Sequence, residues 1–420
     1  MMKKTLSLLA LLLAATTATA QLKPRPDAFP PQAAATPGRK AVQMASTVAE
    51  MAAWDRYPTY PVYVEMMQRW ASDYPDICSL DTIGTSIQGR LILALHIEGN
   101  RQQEILRPEF FYTSTIHGDE VTGYAMMLRL IDTLLTSYGH SPRLTALVDG
   151  TAIYINPLAN PDGTYRMGNH TVQGAMRYNA DYVDLNRTFP DPFSPTAKAL
   201  PQENAAMIAY TNAHRFRLSA NLHGGSEVAN YPWDSFTSAD RPHPESDWWK
   251  AVCRRFVDTC RAVDNGYLRD VADEGYIAGG DWYVIGGGRQ DYMNYYHDCL
   301  ELTLEISSEK TPPAAQLPAF WRRLRSALLN YIEEIYSLPG SASARTADGD
   351  TPTLSPNPTH GPIAVEGLAE GARLTLCDMT GRTLLAATAH GGRATLDLGA
   401  LPHGIYLLHA DGKTQKVVKR

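Results

Sequence analysis

The sequence predicts an α/β protein, a mixed and mainly parallel twisted sheet flanked by helices, followed by a small all-β sandwich. Three observations carry this. Between Tyr57 and about Leu338, short apolar runs alternate with segments whose apolar residues recur at helical spacing. Around Pro339 the composition turns to Ser, Ala, Thr and Pro, as in a linker. Beyond it lie only short β-like runs split by turns: Ile363–Val365, Leu374–Leu376, Thr383–Leu385, Ala394–Leu398, Ile405–Leu408 and Lys416–Val418, with hairpin turns at Asp378–Arg382 and Asp411–Lys413.

The elements follow in order. Residues 1–20 read as an export signal: Lys3 and Lys4 are a positive start, Leu6–Ala15 is an apolar stretch too short to anchor in a bilayer, and Ala18-Thr19-Ala20 is a small-residue cleavage site. Residues 21–55, rich in Pro and Ala, read as a linker. The main domain is expected over residues 56–338. Val62, Met66, Met67 and Trp70 have helical spacing. Leu91–Ile97 and Phe110–Ile116 read as buried strands, and a helix over Val121–Leu135 turns Met127, Leu130, Ile131 and Leu134 inward. Ala152–Ile155 and Leu218–Leu222 are further strands, and Phe320–Tyr336 is a closing helix. A second linker, 339–352, leads to the sandwich at 353–420.

Composition narrows the function. The net charge is −6 and no block of Lys and Arg is present, which excludes the basic footprint of a nucleic-acid partner. Five cysteines are too few and too scattered for a disulfide framework or a Cys-type zinc site. Cys253 and Cys260, on one expected helix, are separated by a rise of roughly 10 Å, too far to bridge each other. Either remains open to pairing with Cys299. Nothing indicates an oligomer, and a monomer is the default.

Chemistry concentrates in five motifs. In Thr115-Ile116-His117-Gly118-Asp119-Glu120, at a strand end, an imidazole and a carboxylate three residues apart can reach one cation. Taken alone, such a pair also suits an ordinary surface. In Ser219-Ala220-Asn221-Leu222-His223-Gly224-Gly225, a second strand ends in a histidine, where ligands of α/β sheets gather. Together they give a His/Glu/His set with one coordination position left for water, the pattern of a catalytic zinc site. Asp184-Leu185-Asn186-Arg187 offers an Asn-Arg pair suited to capture of a carboxylate, or else a capped loop with an exposed Arg. Asn156-Pro157-Leu158-Ala159-Asn160-Pro161-Asp162-Gly163 is turn chemistry that shapes a rim. In Leu300-Glu301-Leu302-Thr303-Leu304-Glu305-Ile306-Ser307, alternation puts the apolar residues on one face and Glu301, Thr303, Glu305 and Ser307 on the other. A polar cleft would make Glu305 a catalytic base. Glu301 is expected on a solvated edge-strand face.

In this order the five motifs resemble the funnelin metallocarboxypeptidases, the carboxypeptidase A/B family, and its regulatory N/E subfamily in particular, over about Tyr57–Leu338. The resemblance implies a carboxypeptidase-like fold and one zinc per chain, held by His117, Glu120 and His223. It implies that Glu305 is the general base, that Arg177 stabilises the oxyanion, and that Asn186 and Arg187 bind the terminal α-carboxylate. Tyr283 would close over that carboxylate and Asp184 would fix the tautomer of His117. Asp234, with Gln290 beside it, would receive a basic side chain, so the partners would be peptide or protein C-termini ending in Lys or Arg. Departures are Arg289 where relatives carry Met, an extra cation near the pocket whose effect on basic substrates the sequence leaves open, Thr188 for Asn, and Ser307-Ser308 for a small residue followed by Cys.

Leu354-Ser355-Pro356-Asn357-Pro358, Asp378-Met379-Thr380-Gly381-Arg382 and Leu401-Pro402-His403-Gly404-Ile405-Tyr406 resemble a type IX secretion sorting domain. That implies contact with the secretion machinery and a secreted or outer-membrane surface location after passage through the periplasm. A degenerate transthyretin-like sandwich is the alternative. For the whole chain, the competing readings are a peptidoglycan stem-peptide carboxypeptidase, a non-catalytic surface binding protein, and a sandwich that serves as an adhesion module.

Overall fold

A computed structural model describes residues 42–420, apart from 102–106, 192, 194–198, 340–351, 379–381, 411–412 and 420. The expected export signal, most of both linkers and the two hairpin turns therefore fall wholly or partly outside the described residues. The end of the first linker is folded: Val48–Ala53 forms a 3-10 helix, and Ala45 and Met51 are buried.

An eight-stranded sheet organises the main domain. Its strands are β1 (Cys78–Thr85), β2 (Leu91–Ile97), β3 (Glu109–Ser114), β4 (Ala152–Asn156), β5 (Phe216–His223), β6 (Ser226–Tyr231), β7 (Tyr276–Ala278) and β8 (Leu300–Ser307), in spatial order β1-β2-β4-β3-β5-β8-β6-β7. The central four, β4, β3, β5 and β8, run parallel, while β1, β2 and β6 meet their inner neighbours antiparallel.

Helices cover both faces, which explains why the strands read as nearly continuous apolar runs. On one face α1 (Tyr60–Asp73), α2 (Thr122–Ser137), α3 (Pro142–Gly150), α5 (Ser246–Arg261) and α7 (Leu317–Glu333) share a core with Leu93, Leu95, Phe110, Tyr112, Ile153 and Ile155. On the other, α4 (Gln202–Ala213) and α6 (Arg289–Tyr296) pack with Ile92, Ala94, Phe111 and Tyr154. Alternate residues of β2, β3 and β4 enter opposite cores, as a period of two demands.

That alternation changes character in the middle of the sheet. Leu218, Ala220 and Leu222 of β5 and Leu302, Leu304 and Ile306 of β8 enter the first core. Their alternates are polar, and the parallel register sets them side by side: Ser219 with Glu301, Asn221 with Thr303, His223 with Glu305. This polar ladder rises to the carboxyl ends of the strands. Glu301 is thus no solvated edge residue, because β8 lies between β5 and β6 and the side chain is fully buried.

Past residue 351 the described strands form a three-stranded and a four-stranded antiparallel sheet around Ile363, Val365, Leu374, Leu376, Leu396, Leu408 and Val417. This is the expected small all-β domain. All five cysteines are buried free thiols. Cys299 is thus unbridged, its Sγ 3.2 Å from Ser219 Oγ. No described helix is long and apolar enough to cross a membrane.

Candidate active site

The carboxyl ends of β3, β5 and β8 deliver the first groups. Immediately after β3, Thr115 takes a left-handed conformation (φ 62°) and turns the chain so that His117 and Glu120 point back over the sheet. His223 ends β5. At Gly224 a side chain would meet Ser307 Oγ at 2.9 Å, so the glycine lets the backbone come within 3.3 Å of Glu120 Oε2.

His117 Nε2 lies 3.2 Å from Asp184 Oδ1 and His223 Nε2 lies 2.5 Å from Asn221 Oδ1. Both neighbours are acceptors, so the hydrogen-bond network assigns each ring its proton on Nε2. Both Nδ1 lone pairs therefore turn inward, 3.1 Å apart, with Glu120 Oε2 at 3.0 and 2.8 Å from them. With the protons so assigned, three buried acceptor atoms converge on one point, an arrangement that a cation satisfies. The Arg177 guanidinium is drawn to the same spot, with Nη1 at 3.2 Å from His117 Nδ1. Two imidazoles and a carboxylate are the nitrogen and oxygen donor set of a catalytic zinc site, so the residues fit that metal. They are the one such cluster found among the described residues.

The electrostatics follow from burial and charge. Burial alone would raise Glu120, but His117 and His223 hold its carboxyl well below the usual range. Burial lowers the His223 imidazole to about 4. Asp184 would also rise on burial. The hydrogen bond from His117 and the charges of His117, Arg177 and Arg187 hold it low instead. Arg177 Nε donates to Asp184 Oδ2 at 2.8 Å, so one carboxylate orients both a ring and a guanidinium.

One cleft is lined jointly by His117, His223, Arg177, Asn186, Arg187, Asp234, Tyr283 and Glu305. Glu305 is 8% exposed, its Oε2 has no hydrogen-bond partner among the described residues, and burial followed by the Glu120 charge pushes its carboxyl well up. Asn186 uses Oδ1 to accept the Arg289 backbone N–H at 2.9 Å, which leaves its NH2 for the cleft. Tyr283 is 45% exposed at the mouth. Asp234 is 4% exposed, and burial, then the neighbouring Asp291, pushes its carboxyl well up. Gln290 stands behind it, with Nε2 3.0 Å from Asp234 Oδ1 and 3.2 Å from Asn230 Oδ1. Gly279 lies so close to the Asp234 carboxylate that any side chain there would collide with it.

A model of the zinc carboxypeptidase family matches residues 63–327. The chain belongs to that family. Carboxypeptidase D of Mus musculus is 31% identical over 288 residues, 66% of this chain but only 21% of that relative's length. The carboxypeptidase N catalytic chain of Homo sapiens is 31% identical over 320 residues, 67% of this chain and 69% of the relative. The fold is shared with a carboxypeptidase A from Helicoverpa armigera, at a TM-score of 0.57 and 18% identity over 68% of this chain and 75% of that one. Residues 353–420 match a secretion system C-terminal sorting domain, which implies export to the cell surface or beyond.

Within this carboxypeptidase domain, the structure answers the question that the sequence leaves open at Arg289. Arg289 does not enter the cleft. Its side chain is 1% exposed and turns beneath the floor, where Nη2 meets Glu301 Oε2 at 3.0 Å. Sequence reasoning also missed partners. Asn221, two residues before His223 on the same strand face, fixes that ring, and strand alternation was the available signal. Lys310 holds Glu120 Oε1 at 3.1 Å and Asp119 at 3.3 Å, a contact across 190 residues that no local pattern announces. The Asn160 turn is structural, since its Nδ2 ties the carbonyls of Ile116 and Arg177 together at 3.2 and 3.3 Å.

Proposed function

We propose that the chain is a zinc-dependent exopeptidase that removes the last residue of peptides and proteins ending in Lys or Arg. His117, Glu120 and His223 would hold one zinc per chain, and the enzyme would act as a monomer. The observation that carries this reading is the one cleft where a metal-fitting cluster, a buried carboxyl with one unpartnered oxygen and the Asn186–Arg187 pair meet.

Zinc bound there would supply a Lewis acid that activates a water and polarises the scissile carbonyl. Glu305, desolvated and high in proton affinity, takes the proton of the attacking water and hands it to the leaving amine. Arg177, aimed by Asp184, offers Nη1 to the oxygen that becomes negative. Asn186 and Arg187 grip the free α-carboxylate, so only a terminal residue is presented to Glu305. Tyr283, half-exposed at the mouth, closes over the bound end. Asp234, backed by Gln290, pairs with a cationic side chain and leaves a neutral one facing a buried carboxylate. The sorting domain carries the enzyme through the type IX machinery, to release or to attachment at the outer-membrane surface.

A peptide ending in Arg and the same peptide with an amidated C-terminus separate this reading from an endopeptidase. The free acid is expected to lose its Arg and the amide to remain intact. Equal cleavage of both would contradict the role of Asn186 and Arg187.

A further inference from the structure

Beneath the cleft floor lies a buried ion pair that the proposed reaction does not use. Arg289 opens α6 and Glu301 sits near the start of β8, 1% and 0% exposed. The guanidinium also meets Thr113 Oγ1 and lies over the Phe111 ring, 5.1 Å from its centroid. A buried pair is weak support for stability, since desolvating both charges offsets their attraction. Its neighbours point to another role. Besides Arg289, the groups that reach the Glu301 carboxylate are the Ser219 hydroxyl at 2.7 Å and Asn221 Nδ2 at 3.0 Å, donors both.

The hydrogen bonds that leave this pair run in one direction. An ionised carboxylate only accepts. Asn221 must therefore turn its NH2 to Glu301, and the same nitrogen also donates to Thr303 Oγ1 at 3.2 Å. Asn221 Oδ1 is then fixed on the far side, against His223 Nε2. Because that oxygen can only accept, His223 carries its proton on Nε2 and turns the Nδ1 lone pair toward His117 and Glu120.

We propose that the Arg289–Glu301 pair is a positioning device that, through Asn221, sets which nitrogen of His223 is offered to zinc. Glu301 supplies the obligatory acceptor at the start of the chain of hydrogen bonds. Arg289 keeps it charged: burial pushes the carboxyl up, and Arg289 is the largest influence opposing that rise. Neither residue touches substrate. The inference rests on His223 being a metal ligand, as the proposed function has it.

Zinc affinity of the full chain, measured by competition with a chromophoric chelator, reads the device without reference to turnover. Glu301→Gln introduces an NH2 that can face Asn221 and let it flip. The zinc dissociation constant is expected to rise about ten- to hundredfold, the usual effect of losing a group that orients a metal ligand. Exchanging the two groups, Glu301→Gln together with Asn221→Asp, restores the direction, because the new Asp can only accept from His223 and the Gln amide donates to it. The exchange is expected to recover most of the lost affinity, which a merely structural role for Glu301 does not predict. Arg289→Met, which leaves the backbone donor to Asn186 in place, is expected to weaken zinc binding in the same direction. Zinc bound by Glu301→Gln as tightly as by the unaltered chain overturns the inference, and so does an exchange variant no tighter than Glu301→Gln. If Glu301→Gln does not fold, unaltered zinc affinity in Arg289→Met overturns it instead. An unaltered chain that binds no zinc would overturn the metal-site reading, a separate failure.

Discussion

Glu305→Gln lowers kcat on peptides ending in Arg by on the order of 10²- to 10⁴-fold, the span attributed to a positioned general base, while zinc content stays the same. The carboxyl stands beside His223 in the parallel register yet belongs to no donor cluster, so its loss leaves all three converging acceptors in place. The substitution keeps the shape of the side chain, and it removes only the capacity to take up and return a proton. Burial has already raised the proton affinity of Glu305, which suits a group that must accept a proton from water and then release it to an amine. Single-turnover rates and metal analysis on the same preparation check the prediction. Loss of zinc in this variant would move Glu305 from base to metal support.

Asp234→Asn is the second large effect. Removing one member of a buried, hydrogen-bonded charge pair costs about 2–5 kcal/mol, so kcat/KM on Arg-ended peptides is expected to fall by roughly 30- to 5,000-fold, mostly through KM. Peptides with neutral ends are expected to change little or improve. The pH dependence has a definite sign. The Asp234 carboxyl lies well above the ordinary aspartate range because it is buried and faces Asp291, itself raised to about 6. Acidification therefore protonates Asp234 earlier than an exposed aspartate and removes the charge that attracts Lys or Arg. KM for basic ends is expected to rise as pH falls, and Asp234→Asn is expected to flatten that rise. Profiles of KM against pH for matched Arg and Phe peptides provide the check. An unchanged preference in the variant would place the selectivity elsewhere.

Much of this was legible because strand ends and strand alternation are local properties. His117, Glu120 and His223 sit where apolar runs stop, and Leu300–Ser307 shows a period of two in plain text. Three strands of the main sheet, Cys78–Thr85, Ser226–Tyr231 and the three-residue Tyr276–Ala278, were not anticipated. Cys78–Thr85 lies at the sheet edge with irregular burial and a register shift between Thr82 and Gly84, so its pattern is blurred. Ser226–Tyr231 is short and opens on Ser226 and Glu227, so its apolar residues Val228, Ala229 and Tyr231 are too few to announce a strand paired with β8. Glu301 and Arg289 were read separately, one as solvated and one as an extra cation near the pocket. Each reading followed from charge considered alone. Their partnership joins a helix start to a strand start, and only the fold brings them together.

The most direct test of the account is release of the terminal residue from matched peptides ending in Arg, Lys, Phe or Glu, with a zinc chelator present or absent and zinc then restored. The account predicts release of Arg and Lys alone, abolished by the chelator and recovered with zinc. Preferential release of Phe, or release that ignores the chelator, would contradict it, and no release from any peptide would return the chain to the stem-peptide or binding-protein readings.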